Sequence, residues 1–450
     1  MLDSRVSWSV PAIRATLLLA AIGLVGAAGG CDKGSSDGNH NTGGDGKSDS
    51  GGPSDGRPND GKQVDAATTA DGLPVIPPGA KRYLYVANDS GDIDIFDIAD
   101  NHKKLRSFAV QGNPSRFRGL IADVKHGRLF WSSSDPDPML GAIDLKTDQP
   151  IWGPDAPSGC DFPDRISVTV DGSALYVPCK DGGYRIIDAA TGDEIKQFSF
   201  DGSPHNSFIG ESGTYAYATG YQNDTMQVWD PVNHTKVRDI GPFSSGIRPF
   251  SVTRDEKYVA VNLTNAGTMG GNGLPTAVGF GLGDVATGEV IGEYLHDVPA
   301  MRVQMASNDT KDAYPDRDEW PHGGKPYSHG LAIRQGANEV WYLDDIWGYM
   351  YVWNIAQMPP TFVGEVPLFQ EIDKAWTRPG GSGRSTYWRW LNFSIDGRYA
   401  YPGTEGIVVD AQTRTMLDVR VTPSEKFVEI VFDGTEPVLT TGQNGGWYAK

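Results

Sequence analysis

Cysteine and positive charge are both scarce in this 450-residue chain. Its only three cysteines are Cys31, Cys160 and Cys179, which excludes a disulfide-dense scaffold. Lys and Arg total 39 against 57 Asp and Glu, for a net charge of −18. Because nucleic-acid binding requires clustered Lys and Arg, we expect no nucleic-acid partner.

Motifs for catalysis and for cofactors are missing as well. The sequence has no G-x-S-x-G, H-E-x-x-H or P-loop motif. His322 and His329 are seven residues apart and follow several acidic residues, a spacing that matches no standard zinc or calcium site. We therefore predict no cofactor and no metal, and favour a binding protein over an enzyme.

The N-terminal residues have the layout of a secretory signal peptide. Arg5 and Arg14 precede the uncharged, apolar stretch Ala15–Gly30. Residues 28–31, AGGC, resemble the lipobox of bacterial lipoproteins, although the first position is Ala rather than the more usual Leu. That resemblance implies lipidation of Cys31 and attachment to the bacterial cell envelope, on the periplasmic face or the cell surface. The alternative is an ordinary signal peptide that ends near a cysteine.

A low-complexity segment separates this region from the rest of the chain. No Phe, Trp or Tyr lies between Cys31 and Tyr83, and Gly, Ser and Asp dominate. Such a composition buries too little apolar surface to offset the entropy of ordering. We predict a signal peptide over 1–30, a flexible linker over 31–80 and one folded domain over 81–450.

An apolar run that ends in Asp or Asn recurs seven times in the predicted domain. Most of these markers are 42 to 56 residues apart. Between them lie short segments rich in β-branched and aromatic residues, typical of four strands per repeat. The pattern predicts an all-β, seven-bladed β-propeller. Each marker is expected to close a turn by accepting backbone N–H groups; the markers are Asp97, Asp144, Asp188, Asp230, Asp284, Asn354 and Asp410.

The two ends of the domain are predicted to complete one blade. Six first strands are evident against seven second strands, and Lys426–Phe432 can supply the missing one. Closure by both termini would protect the sheet edges. Pro437–Thr441 is left over in this assignment. Two irregular insertions, 298–327 and the smaller Gln370–Thr386, interrupt the repeat and are candidates for functional loops.

The repeats also resemble a known family. The segments RYLYVAN with IDIFDI, and ALYVPCK with YRIIDA, are similar to the YVTN-type β-propeller repeat. The resemblance implies a seven-bladed ring that is often exported in bacteria. Some relatives resemble lactonases or quinoprotein dehydrogenase subunits. The repeat therefore specifies the fold strongly and the function hardly at all.

Charged side chains are predicted to converge where the first strand of each blade begins, at the mouth of the central channel. Paired guanidinium groups there would bind an anionic small molecule, glycan or peptide. Alternatively, the charged side chains pair with one another, and the aromatic residues near them, Trp347 and Trp388, pack between blades. The entry positions are Lys426, Arg118, Asp164, Asn206 with His205, Arg248, His329 and Arg389; the predicted ligand-binding set is Arg118, Asp164, His205, Arg248, His329, Arg389, Trp347 and Trp388.

Two other functions and one cross-link remain open at this point. A lactonase-like or lyase-like enzyme would use His205 or His329 as its acid–base group, because imidazole exchanges protons near neutral pH. A scaffold would hold another exported protein, such as a redox partner. Cys160 and Cys179 should lie at the same end of one hairpin, either as a disulfide or as two reduced thiols.

Overall fold

The computed structural model describes residues 67–449 except 89, 158, 222, 245, 264–276, 298–329, 345–348, 369–389, 404–405 and 443–446. The predicted signal peptide, Cys31, most of the linker and both insertions, 298–327 and 370–386, lie outside the described residues. Within the described ranges, no helix is long and apolar enough to cross a membrane.

Seven antiparallel sheets make up the domain, which is a seven-bladed β-propeller. Blade one contains β1 (Lys81–Ala87), β2 (Asp92–Asp97) and β3 (Lys103–Ala109). The next three blades are β4 (Phe117–Asp123), β5 (Arg128–Ser133), β6 (Met139–Asp144) and β7 (Pro150–Trp152); β8 (Ser167–Val168), β9 (Ala174–Cys179), β10 (Gly183–Asp188) and β11 (Glu194–Ser199); and β12 (Ser203–Ile209), β13 (Ala216–Tyr221), β14 (Met226–Asp230) and β15 (Thr235–Ile240).

Blades five to seven follow the same plan. They are β16 (Ile247–Val252), β17 (Tyr258–Leu263), β18 (Ala277–Asp284) and β19 (Val290–Asp297); β20 (Leu331–Arg334), β21 (Glu339–Asp344), β22 (Tyr349–Asn354) and β23 (Thr361–Pro367); and β24 (Leu391–Phe393), β25 (Tyr399–Pro402), β26 (Ile407–Asp410) and β27 (Thr415–Arg420). The chain ends with β28 (Lys426–Asp433), β29 (Glu436–Thr441) and β30 (Trp447–Ala449).

The hydrophobic core lies between neighbouring blades. The two middle strands of a blade are covered on both faces, so they are almost continuously apolar, as in the buried run of β21. Trp341 of blade six meets Phe393 of blade seven edge to face, with ring centroids 5.5 Å apart. The fourth strand of each blade forms the outer rim, and β3 is correspondingly exposed along most of its length. Each blade is thus stabilised by its neighbours rather than alone.

The marker residues have the structural role that the sequence predicted. Asp188, for example, accepts hydrogen bonds through Oδ1 from the backbone N–H groups of Ala190 and Thr191, at 2.8 and 3.0 Å. The same turn recurs after Asp97, Asp144, Asp230, Asp284, Asn354 and Asp410. These side chains are bonded to their own turns, so they are structural.

Closure of the ring by both chain ends is confirmed. β1 pairs with β2 on one side and with β28 on the other, in a register that places Leu84 opposite Glu429. β28 therefore supplies the innermost strand that blade one lacks in the N-terminal part of the chain. Pro437–Thr441, which the sequence assignment left over, belongs to β29.

The last two strands continue blade one into the centre of the propeller. β29 pairs with the inner edge of β28, and β30 pairs with β29. Asn392 in β24 donates to the carbonyl of Gly442 at 2.8 Å, and the Tyr448 hydroxyl donates to the carbonyl of Ile209 in β12 at 2.5 Å. Because β24 and β12 belong to blades seven and four, the C-terminal strands contact well-separated sides of the channel and fill it at this depth.

Candidate functional site

Charged residues meet at the end of the channel where the innermost strands begin. Arg118 is the second residue of β4, Asp164 lies in the segment before β8, and Lys426 begins β28. The innermost strands of adjacent blades contact each other, so these positions come together although they are far apart in the sequence. We call Arg118, Asp164, Arg165, Lys180, Glu425 and Lys426 the mouth cluster.

Arg118 and Asp164 form a bidentate ion pair within the mouth cluster. Arg118 Nη2 lies 2.9 Å from Oδ1 and 3.1 Å from Oδ2 of Asp164, and Nε lies 3.2 Å from Oδ1. Burial opposes ionisation of Asp164. The surrounding positive charges, Arg118 foremost, outweigh that effect and hold the pKa of Asp164 well below its usual range. The sequence left open that these charged side chains pair with one another, and Arg118 and Asp164 do so.

Arg165 connects the two carboxylates of the cluster. Its Nη1 lies 3.3 Å from Asp164 Oδ1, and its Nη2 donates to Glu425 Oε2 at 3.1 Å. Its guanidinium carbon is 4.1 Å from the centroid of the Trp390 ring, a cation–π contact. Sequence reasoning missed Arg165 because only one entry position was assigned to each blade. Its basic side chain, directly after the predicted entry position Asp164 of blade three, was the signal that could have identified it.

His205 lies beside Arg165 and is almost fully buried. It is 1% exposed, with Nε2 3.3 Å from Arg165 Nη1 and Nδ1 2.5 Å from Asn206 Oδ1. Both ring nitrogens therefore have partners within the protein. This geometry makes His205 part of the support of the cluster and leaves neither ring nitrogen directed at a substrate.

Lys426 is the most deeply placed amine of the mouth cluster. Its Nζ donates to Glu425 Oε2 at 3.0 Å and lies 5.2 Å from the centroid of the Trp390 ring. Burial, reinforced by the charge of Arg165, lowers the pKa of Lys426 to about 7, although Glu425 acts in the opposite direction. A buried lysine with such a pKa is typical of functional sites.

The rim of the mouth is built on a cross-linked segment. Cys160 and Cys179 form a disulfide, and Phe162 lies in the loop that it closes. Lys180 Nζ is 3.7 Å from the centroid of the Phe162 ring and 3.7 Å from Asp164 Oδ2. The side chain of Lys180 is 34% exposed, whereas that of Arg118 is only 9% exposed. Lys180 is therefore the cation that solvent reaches most readily.

Positive charge exceeds negative charge in the mouth cluster. It contains three cations, Arg118, Arg165 and Lys180, together with the amine of Lys426 and two carboxylates, all joined by the contacts given above. This excess lies within a protein of net charge −18. An anion that enters the mouth meets favourable charge, and the side chains are already held in place by the ion pairs.

The remaining predicted site residues are located only in part. Arg248 belongs to β16, the first strand of its blade, but its side chain lies outside the described residues, as do His329, Arg389, Trp347 and Trp388 entirely. Across the described ranges, no three His, Cys, Asp or Glu side chains are grouped to hold a metal ion.

A small depression lies at the opposite end of the channel. Its lining includes Asp123, Lys125, Thr169 and Tyr448. Asp123 is the last residue of β4, Lys125 and Thr169 follow β4 and β8, and Tyr448 belongs to β30. The depression is thus separate from the mouth cluster, and the C-terminal strands lie beside it.

Comparison with known proteins supports the fold alone. No family model matches the chain, and no curated protein matches it. Among solved structures, "Structure of U3-55K" is similar over 78% of this chain and 91% of that chain, with a TM-score of 0.50 and 11% sequence identity. The similarity is one of architecture. The resemblance to the YVTN-type repeat family stays a prediction.

Proposed function

We propose that this protein is a binding module that takes up an anionic small molecule, glycan or peptide at the channel mouth. The observation that carries the proposal is the excess of cations in the mouth cluster. Guanidinium groups bind carboxylates and phosphates through paired hydrogen bonds, and Lys adds a point charge. The β-propeller fold is consistent with such a role.

The ligand would bind between the exposed rim and the buried base of the cluster. Lys180 is accessible and would meet the anion first, and the guanidinium charge of Arg165 would attract it from below. The C-terminal strands fill the channel further along. The mouth would thus be closed at its inner end, which suits binding and retention of a ligand rather than its passage through the channel.

The proposal includes export and attachment to a membrane through Cys31. The support is the signal-like segment Ala15–Gly30, which ends at a cysteine and is followed directly by a polar tether. Metabolic labelling with a radioactive fatty acid in a bacterial host would test it. We expect label on the full chain and none on Cys31→Ala. Equal labelling of both proteins would contradict lipidation at this residue.

Calorimetric titration tests the anion site. Galacturonate, citrate and inorganic phosphate would each be titrated into the full chain at low and high salt. We expect Lys180→Glu to weaken binding of the preferred anion about tenfold, equivalent to about 1.4 kcal/mol, and added salt to weaken it in the wild type. Lys103→Glu makes the same charge change on the outer strand β3 and serves as the matched control.

Two results would overturn the proposal. The first is that none of the three anions binds the wild-type chain. The second is that Lys180→Glu and Lys103→Glu weaken binding equally, which would locate the effect in the overall charge of the protein. Because both side chains are substantially exposed, neither substitution should prevent folding.

A further inference from the structure

We infer that Lys426 is a covalent binding residue, whose amine forms an imine with a small 2-oxo carboxylate that enters the channel mouth. This inference rests on the proposed anion site for capture of the carboxylate group and adds a chemical step to it. It names the ligand class more narrowly, because a simple carboxylate or phosphate has no carbonyl carbon that an amine can attack.

The position of Lys426 supports this role. The residue is 3% exposed, yet it bonds directly to Glu425, whose side chain is 20% exposed. The amine thus lies one side chain below the surface of the mouth. Arg165 contacts the same Glu425 oxygen at 3.1 Å and the face of the same Trp390 ring. A ligand carboxylate held by the guanidinium of Arg165 would place an adjacent carbonyl close to the amine.

The surroundings of the amine favour its neutral, nucleophilic form. Burial disfavours the protonated amine most strongly, and the charges of Arg165 and Arg118 add to this effect. Glu425 opposes them. Asp164 is already paired with Arg118 and Arg165, so the charge around the amine remains positive. At neutral pH a substantial fraction of Lys426 would be unprotonated, whereas an ordinary lysine, with a pKa of about 10.4, would be almost fully protonated.

The chemical step balances without an oxidant or reductant. The lone pair of Lys426 Nζ attacks the carbonyl carbon, and the carbonyl oxygen becomes a hydroxyl group by taking up a proton that the amine loses. Loss of that hydroxyl as water, which takes up the second proton of the amine, leaves a carbon–nitrogen double bond. Glu425, 3.0 Å from Nζ, is placed to accept the proton from the amine and return it to the departing oxygen.

Reductive trapping tests the inference on the full chain. Glyoxylate and cyanoborohydride would be added near neutral pH, and carboxymethylated lysines would be located by peptide mass spectrometry. We expect Lys426 to be labelled at least about tenfold faster than other lysines, in line with the difference in neutral fraction. In Lys426→Arg this label should disappear. In Lys81→Arg, a control at an exposed residue of the paired strand β1, it should persist.

The inference is overturned if, in the peptide map of the wild-type protein, Lys426 is labelled at the same rate as exposed lysines. This comparison uses the wild-type protein alone and does not depend on the folding of a variant. Propanal, a carbonyl compound without a carboxylate, separates the two proposals. Selective labelling of Lys426 by propanal but not by glyoxylate would retain the reactive amine and reject capture of the carboxylate. If calorimetry shows that glyoxylate binds but no lysine adduct is trapped, the anion site is retained and the imine is rejected.

Discussion

At the scale of single residues, the mouth cluster shows which side chains the sequence could identify. Arg118, Asp164 and Lys426 were recognised because each begins the innermost strand of a repeat or lies just before it. Arg165 and Glu425 were not, because alignment by apolar pattern assigns one entry position per blade. β8 spans only Ser167–Val168, so regular alternation does not extend back to residue 165 and cannot predict where its side chain lies.

The pair Arg118–Asp164 should matter for stability as well as for charge. Arg118→Ala leaves a fully buried carboxylate without its bidentate partner, at a cost of about 3 kcal/mol. Arg165 and Lys180, which also contact Asp164, limit the loss. Chemical denaturation measures it. The double variant Arg118→Met/Asp164→Leu should lose less than the single variant, because the buried carboxylate is removed with its partner and Arg165 keeps its contact with Glu425. A larger loss in the double variant would contradict this reading.

Lys426 makes a specific contribution to the pH dependence of stability. Its pKa in the folded protein is about 7, and in the unfolded chain about 10.4. Between these values the unfolded chain binds more protons, so this residue makes stability rise with pH and fall as the pH drops toward 7. When the pH is lowered from about 9 to about 7, the free energy of unfolding of the wild type should decrease. In Lys426→Met this decrease should be smaller by at least about 1 kcal/mol. Parallel stability profiles for the two proteins would refute it.

At the scale of elements, the strands and their turns were the most predictable feature. The sequence predicts four strands per repeat, and blade six, for example, has the four strands β20 to β23. The C-terminal strands β29 and β30 were not predicted. A signal was present, because Asp433–Gly434 is a typical hairpin turn and Gly434 has φ of +62°. β30 has only three residues, too few for a periodic pattern.

The disulfide should stabilise the rim of the mouth. It joins two residues 19 positions apart, with Phe162 and Asp164 between them, and a cross-link over this separation contributes about 3 kcal/mol through the unfolded state. Cys160→Ser/Cys179→Ser should lose about that much stability in chemical denaturation and bind the preferred anion more weakly. Reduction of the wild type should reproduce both effects. A double variant with wild-type affinity would show that the rim keeps its shape unaided.

The contact between Tyr448 and Ile209 offers a test of the filled channel. Tyr448→Phe removes one hydrogen bond and should cost about 1 kcal/mol, whereas Tyr448→Ala also removes a buried ring and should cost about 3 kcal/mol. Val232→Ala, at an exposed position, is a control that should change stability by less than about 0.5 kcal/mol. If Tyr448→Ala behaves like that control in thermal and chemical unfolding, the C-terminal strands do not support the channel.

At the scale of the whole molecule, the fold was predictable because it repeats. Seven similar units, each with an apolar pattern and a turn-closing marker, define a ring even when any one of them is irregular. The site was predictable only in outline. It depends on side chains that different blades contribute to one place. An error of one residue in the alignment of a strand exchanges a side chain that faces the channel for one that faces a neighbouring blade.

The distribution of charge over the molecule follows from the same ring. The whole chain carries a net charge of −18, whereas the ring brings Arg118, Arg165, Lys180 and Lys426 to one end of the channel. Electrostatic attraction would thus direct an anion to the mouth and away from the rest of the surface. This contrast is the central claim of the account.

Anomalous diffraction from crystals soaked in selenate tests that claim most directly, because it locates a bound oxyanion without assuming the natural ligand. We predict a selenium peak within hydrogen-bonding distance of Lys180, Arg165 or Lys426 in the mouth cluster. Selenium peaks confined to the outer strands or to lattice contacts, with none at the mouth, would contradict it.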